Sequence, residues 1–278
     1  MSLDLDSRQR AMLQEMGVRV WWPEAAPEPV ATAASASVPA ASQAATVRIP
    51  VSPPAQKTDP EQPAKPAGDI ASMDWTTLAE TIARCQSCKQ GVGCRSPVFA
   101  LAGTARQADW LVLGEPPDDT EERLGLPIAG QAGQLLDNML KAVGVRRGGV
   151  SGSTAPVSER AGAAYVTNVV KCRPAAARNP EPSDLAACEY YLRREVALVQ
   201  PKVILALGRF AAQSVLQGSM PEVAGIPLGK LRGQVYRYQD IPVIVSYHPA
   251  YLLRSPQEKA RAWLDWCLAS QLVAGHGK

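Results

Sequence analysis

The chain has 278 residues, 46% hydrophobic and 20% charged, which is enough for one sizeable domain plus a tail. No apolar run reaches the roughly 18–20 residues of a membrane span, and MSLDLDSRQR at the start carries acids where a secretory signal is basic. A membrane protein and a secreted one are therefore excluded as expectations, and a monomer in the cytoplasm is expected. The net charge of +3 permits a nucleic-acid partner without requiring one. Six cysteines in such a chain point to metal ligands or free thiols rather than disulfides.

Residues 5–20 predict a short helix with Met12, Leu13 and Met16 on one side, followed by Trp21 and Trp22. Residues 1–22 thus read either as a helix docked on its own domain or as a peptide that binds a protein partner. Residues 23–69 hold ten of the 24 prolines and no aromatic residue, the composition of a disordered linker. The folded domain is assigned to residues 70–278.

Within it, 76–85 predicts a helix and 110–116 an apolar strand. Residues 133–145 have Leu135, Leu136, Met139, Leu140 and Val143 at helical spacing. A strand is expected at 164–170, then a helix at 183–201 with Ser183 as N-cap. A strand at 202–208 ends at Gly208, and a helix follows at 209–217. Strands at 234–238 and 241–249 and a closing helix at 258–272 complete the pattern. Apolar strands alternating with helices imply an α/β fold, a three-layer α/β/α sandwich around a mostly parallel sheet. A site in such a sheet forms at the C-terminal strand ends, which gathers the loops after Leu113, Val170, Leu207 and Tyr247.

Cys85 and Cys88 form a C-x2-C pair, and Cys172 and Cys188 follow far downstream. Two thiolates on one turn and two from distant loops could complete a set of four, against the alternative of structural thiols. Spacing does not separate zinc from an iron–sulfur cluster. Cys94 could replace one ligand, and Cys267 reads as a core thiol. The segment 114–136, GEPPDDTEERLGLPIAGQAGQLL, offers carboxylates at a strand end, either to orient water or as a solvated acidic loop. Asn168 lies in an apolar strand, where its amide must find partners and could read a base edge or cap a loop. His248 directly follows an apolar strand. Lys171, Arg173, Arg178, Lys230, Arg232, Arg237 and Arg254 would track phosphates if they shared a face, and are scattered solubility charges otherwise.

Taken together and in order, several blocks resemble the iron–sulfur type, family 4, of the uracil-DNA glycosylase superfamily. They are C-x2-C at 85–88, GExP through GxAGxLL at 114–136, TNVVKCRP at 167–174, Cys188, PKVILALG, the LRG at 231–233, and HPAYLLR at 248–254. The resemblance covers residues 75–270. It implies a base-excision repair enzyme that flips uracil out of DNA and hydrolyses its N-glycosidic bond, at the nucleoid when bound to DNA. It implies that Cys85, Cys88, Cys172 and Cys188 hold a structural [4Fe–4S] cluster, zinc being the alternative. By the same resemblance Asn168 contacts the uracil edge and His248 stabilises charge on the departing base. Leu252 wedges into the duplex, and Arg254 belongs to the same DNA-contacting segment. Glu115 and Glu121 are the acids expected to orient water or support the sugar cation.

The first loop departs from the family pattern. Pro116 replaces a small residue, Asp118 a glycine, and Ile128 and Ala129 a Phe-Val pair whose Phe stacks on the flipped base. Ile128 keeps apolar contact with the base and loses the π-face. These changes raise an alternative: a non-catalytic DNA-binding scaffold on the same fold. A zinc-bound nucleotide-handling protein would explain the cysteines but not the ordered blocks.

Overall fold

A computed structural model describes residues 69–88, 94, 96–99, 107–148, 162–174 and 178–275, all within the unit Thr58–Lys278. The helix expected at 5–20 and the linker at 23–69, its last residue Asp69 apart, lie outside the described residues. Element order after a 3-10 turn at Ile70–Ser72 is α1 (Trp75–Ala83), β1 (Trp110–Gly114), α2 (Asp119–Leu124), α3 (Gly130–Ala142), β2 (Arg146–Arg147) and β3 (Ala163–Asn168). Then come α4 (Pro182–Val199), β4 (Val203–Leu207), α5 (Arg209–Leu216), α6 (Leu228–Leu231), β5 (Val235–Tyr238), β6 (Ile241–Ser246), α7 (Pro249–Arg254) and α8 (Lys259–Gly275).

Among the described residues the strands form one six-stranded sheet, ordered β2-β3-β1-β4-β6-β5. Only β5 runs antiparallel, on β6; the other pairings are parallel. β1 and β4 are buried at every position, as a sheet covered on both faces requires. β5 alternates between exposed and half-buried positions, as suits an edge. One face packs Leu111, Tyr165, Ile204 and Val243 against α1, α4 and α5. The other packs Trp110, Val112, Leu205 and Ile244 against α3 and α8, where Trp110 stacks on Trp266 with centroids 6.2 Å apart. This is the expected three-layer sandwich. Among the described residues no helix is long and apolar enough to cross a membrane.

Several local expectations need correction. The acidic stretch after β1 is a helix, α2, whose N-cap Asp118 accepts from the Glu121 amide while Glu121 accepts from the Asp118 amide. This reciprocal capping box satisfies two donors of the helix end. Helix α4 is capped by Glu181 with Pro182 in its first turn, not by Ser183: proline's fixed φ and missing N–H suit that position, so the helix starts one residue earlier. The segment after His248 is also helical, with His248 as N-cap of α7 and Pro249 next. The order of strands reverses at β1, which lies between β3 and β4. Ligands bind outside the carboxyl ends of strands at such a switch.

Candidate functional site at the C-terminal edge of the sheet

Gly114 ends β1 in register with Asn168 at the end of β3. A Cβ at position 114 would lie 3.0 Å from Ile128 Cδ1 and 3.5 Å from Asn168 Nδ2, so glycine permits the close approach of three site segments. Asn168 is buried. Its Nδ2 donates to the Glu115 carbonyl at 2.7 Å and to Glu121 Oε1 at 3.0 Å. Both partners only accept, which fixes the amide orientation. Asn168 Oδ1 is left buried with no hydrogen-bond partner among the described residues.

Glu121 is the hub of the loop. It is buried and accepts from Asn168, from the Asp118 amide at 2.9 Å and from the Ile128 amide. Burial raises its proton affinity; the bonds from Asn168 and the two amides oppose the rise, and the Asp118 charge adds to it. These contacts make Glu121 a residue that positions Asn168 and Ile128. Asp118, which stands where the family pattern has a glycine, serves here as a helix cap.

Ile128 is buried at 1% exposure with φ +48°. Left-handed backbone is a genuine outlier for a β-branched residue and costs on the order of 1–3 kcal/mol. Its carbonyl accepts from Arg147 Nη1 and Nη2, both at 3.1 Å, and Arg147 also donates to the Pro127 carbonyl and to Asp137.

Glu115 turns toward β4. Its Oε1 accepts from the Phe210 amide at 2.9 Å, capping the N-terminus of α5. Gly208 is required there, because a Cβ would fall 2.1 Å from Glu115 Oε1. Burial lifts the Glu115 carboxyl to about 7, against the pull of the Phe210 and Ala211 amides and of Arg209.

On the far side, His248 Nδ1 accepts from the Ala250 amide at 3.3 Å. Nε2 therefore carries the proton in the neutral ring, and it is buried without a partner among the described residues. Burial pushes the His248 pKa down to about 4, with Asp118 opposing and Arg254 assisting. The imidazole is neutral at pH 7. Asp118 acts electrostatically on His248 and bonds Glu121, which in turn accepts from Asn168.

Leu252 is fully buried, contrary to its expected role as a wedge. Helix α7 turns it inward as it packs on α3, while Tyr251, Leu253 and Arg254 face outward. The expected phosphate-tracking set also divides. Lys171 is buried and bonds Glu195 at 2.7 Å, Thr167 at 2.6 Å and the Asn168 carbonyl at 3.0 Å. Arg173 pairs with Asp119 and Glu122, Arg178 with Glu181 and Asp184, and Arg232 with Asp265. Arg237 lies on the β5 edge, bonded to the Asp240 carbonyl. Lys230 and Arg254 are exposed.

Arg147 and Glu195 were not anticipated. Glu195 had a signal: it sits on the apolar stripe of α4 with Leu192, Val196 and Val199. Arg147, in a short polar run after a helix, had none.

The thiols form a second cluster. Cys172 and Cys188 are buried and Cys85, Cys88 and Cys94 half-buried. A bond donated to Cys94 and burial push Cys172 upward, with the Cys188 and Cys88 charges adding to the rise. Burial pushes Cys188 up to about 12, with Cys88 and Cys85 contributing. Cysteines distant in sequence therefore meet. Among the described residues no three His, Cys, Asp or Glu groups could hold a metal ion. The all-thiol chemistry of this set suits an iron–sulfur cluster, which cysteine thiolates hold.

A family model described as the Uracil DNA glycosylase superfamily matches residues 102–269. The Type-4 uracil-DNA glycosylase of Archaeoglobus fulgidus is 32% identical over 186 residues, 65% of this chain and 85% of the relative. That of Thermotoga maritima is 31% identical over 187 residues, 66% and 85%. That of Pyrobaculum aerophilum is 33% identical over 188 residues, 66% and 87%.

Proposed function

The chain belongs to the uracil DNA glycosylase superfamily, and from that premise we propose that it hydrolyses the N-glycosidic bond of uracil in DNA, leaving an abasic site. The observation that carries this reading is the pair of orphaned polar atoms, an acceptor at Asn168 Oδ1 and a donor at His248 Nε2. Uracil presents a complementary edge: N3–H donates, and its carbonyl oxygens accept. A buried polar atom left unpaired costs about 1–3 kcal/mol, so each atom gains by meeting its complement.

The base must leave the stack to reach these groups. Asn168, locked by Glu121 and the Glu115 carbonyl, then accepts from N3–H. Ile128 supplies the apolar wall. As the bond to the sugar breaks, charge accumulates on the base, and neutral His248 donates to the oxygen that takes it up. One preorganised donor of this kind contributes roughly 2.7–4 kcal/mol. Glu115, with a proton affinity near neutrality, is the acid suited to orient water toward the sugar. Cys85, Cys88, Cys172 and Cys188 would hold a [4Fe–4S] cluster, and Cys94 lies within hydrogen-bonding reach of Cys172. When bound, that group would act structurally, tying the turn at 85–88 to the segment after β3 and to α4.

The test is single-turnover release of uracil from a defined oligonucleotide by anaerobically purified protein. Release that falls by roughly 100- to 1000-fold in His248→Ala supports the reading. No release by the unaltered protein, while it still binds the oligonucleotide, would leave the scaffold alternative standing.

A further inference from the structure

We propose that Arg147 is a positioning residue for the base pocket, clamping the Ile128 peptide in its left-handed conformation so that the Ile128 side chain forms the wall beside Asn168. This rests on the reading of the site as a base pocket.

Residues in sparsely populated backbone regions persist only where their surroundings over-determine them. Ile128 is held from both sides by opposite charges. Glu121 accepts its N–H. Arg147 directs Nη1 and Nη2 to its carbonyl at 3.1 Å each, and Nη1 also reaches the Pro127 carbonyl at 2.8 Å. Asp137 on α3 fixes the guanidinium plane through Nε at 2.8 Å. The Arg147 side chain is 10% exposed, so the clamp works where water competes weakly. Gly133 leaves room for it: a Cβ there would fall 2.4 Å from the Ile128 carbonyl oxygen. The opposite end of Ile128 abuts Gly114 beside Asn168 Nδ2. A released peptide would swing the Ile128 side chain away from that position. Two guanidinium nitrogens converging on one carbonyl oxygen, held in plane by a third at Asp137, are a geometry that lysine's ammonium does not reproduce.

The experiment is a double-mutant cycle on the full, cluster-loaded chain with Arg147→Gln, Ile128→Gly and the pair, plus Arg147→Lys. Glycine adopts the left-handed region without strain, so it removes the need for the clamp. Arg147→Gln should slow single-turnover uracil release at least about tenfold, with affinity for uracil-free DNA changed less than about twofold. In the Ile128→Gly background the same change should cost less than about threefold. Arg147→Lys should behave as Arg147→Gln. Melting temperatures give a second readout that needs no activity: the loss from Arg147→Gln should be at least halved in the Ile128→Gly background. If Arg147→Gln does not fold, Asp137→Asn replaces it in the same cycle. Equal losses in both backgrounds, or full recovery with lysine, would overturn the clamp. Absence of uracil release with a coupled melting cycle would refute the glycosylase reading and leave the clamp intact.

Discussion

Glutamine at position 121 separates a positioning carboxylate from a catalytic one. Glu121 receives three hydrogen bonds, from the amides of Asp118 and Ile128 and from Asn168 Nδ2. In Glu121→Gln, the oxygen that serves Ile128 and Asn168 can be retained, and the new NH2 then faces the Asp118 N–H, donor against donor. One buried donor loses its acceptor, a cost of about 1–3 kcal/mol. The two remaining bonds lose their charge assistance. Relief from burying a carboxylate, the main cause of its raised proton affinity, offsets part of this. The expected fall in melting temperature is roughly 2–12 °C, at about 2–4 °C per kcal/mol for a domain of this size. Because Asn168 and Ile128 stay supported, uracil release should slow by no more than about tenfold, equivalent to about 1.4 kcal/mol. Glu121→Ala removes all three acceptors and should slow release by more than about 100-fold. Single-turnover rates at saturating protein, with thermal melts of the same preparations, decide the matter. If glutamine is as inactive as alanine while melting near the unaltered protein, the carboxylate acts on substrate or water directly, and the positioning account is wrong.

Further predictions concern charge. A His248 pKa lowered to about 4 keeps the ring neutral in the fold while the unfolded ring takes up a proton below about 6.5. His248 therefore subtracts stability as pH falls from about 6.5 to 4, and the single-turnover rate should show no histidine titration between about pH 5.5 and 8; an inflection near 6.5 that disappears in His248→Ala would contradict the assignment. Glu115, raised to about 7, favours the fold when protonated. Its contribution is full below about pH 4.5 and is lost as pH rises through 7, a span worth at most about 3.4 kcal/mol. In urea unfolding across that range Glu115→Gln should flatten this part of the profile, and an unchanged profile would refute the buried cap. Lys171→Met leaves Glu195 buried with only the Tyr165 and Thr167 hydroxyls and should cost about 3–5 kcal/mol. Adding Glu195→Leu should recover most of that loss by denaturant unfolding.

Much of the architecture was legible because buried strands are continuously apolar and helices carry periodic apolar stripes. The adjacent pairs Leu111–Val112, Ile204–Leu205 and Val243–Ile244, which point to opposite faces, declare a sheet covered on both. What stayed hidden was short or compensated. Helix α2 is six residues long and reads as an acidic loop until the Asp118–Glu121 capping box is seen. Leu252 is apolar in a motif that invites exposure, and only the helical turn after Pro249 buries it. Lys171 reads as one more surface cation, since its partner Glu195 lies 24 residues away. The places of Asn168 at the end of an apolar strand and of His248 just after one were readable in the sequence. Which of their atoms stays unpaired depends on partners brought in by Glu121 and by the turn at Ala250.

The central claim is that Asn168 Oδ1 accepts from N3–H of a uracil base. The most direct measurement compares single-turnover release of uracil and of 3-methyluracil, which lacks that proton, by the unaltered protein and by Asn168→Ala. The account predicts that methylation slows release by about 100-fold or more in the unaltered protein, as expected where a buried acceptor is left unpaired. In Asn168→Ala the two bases should be released at similar, slow rates. Release of 3-methyluracil at the rate of uracil by the unaltered protein would contradict it.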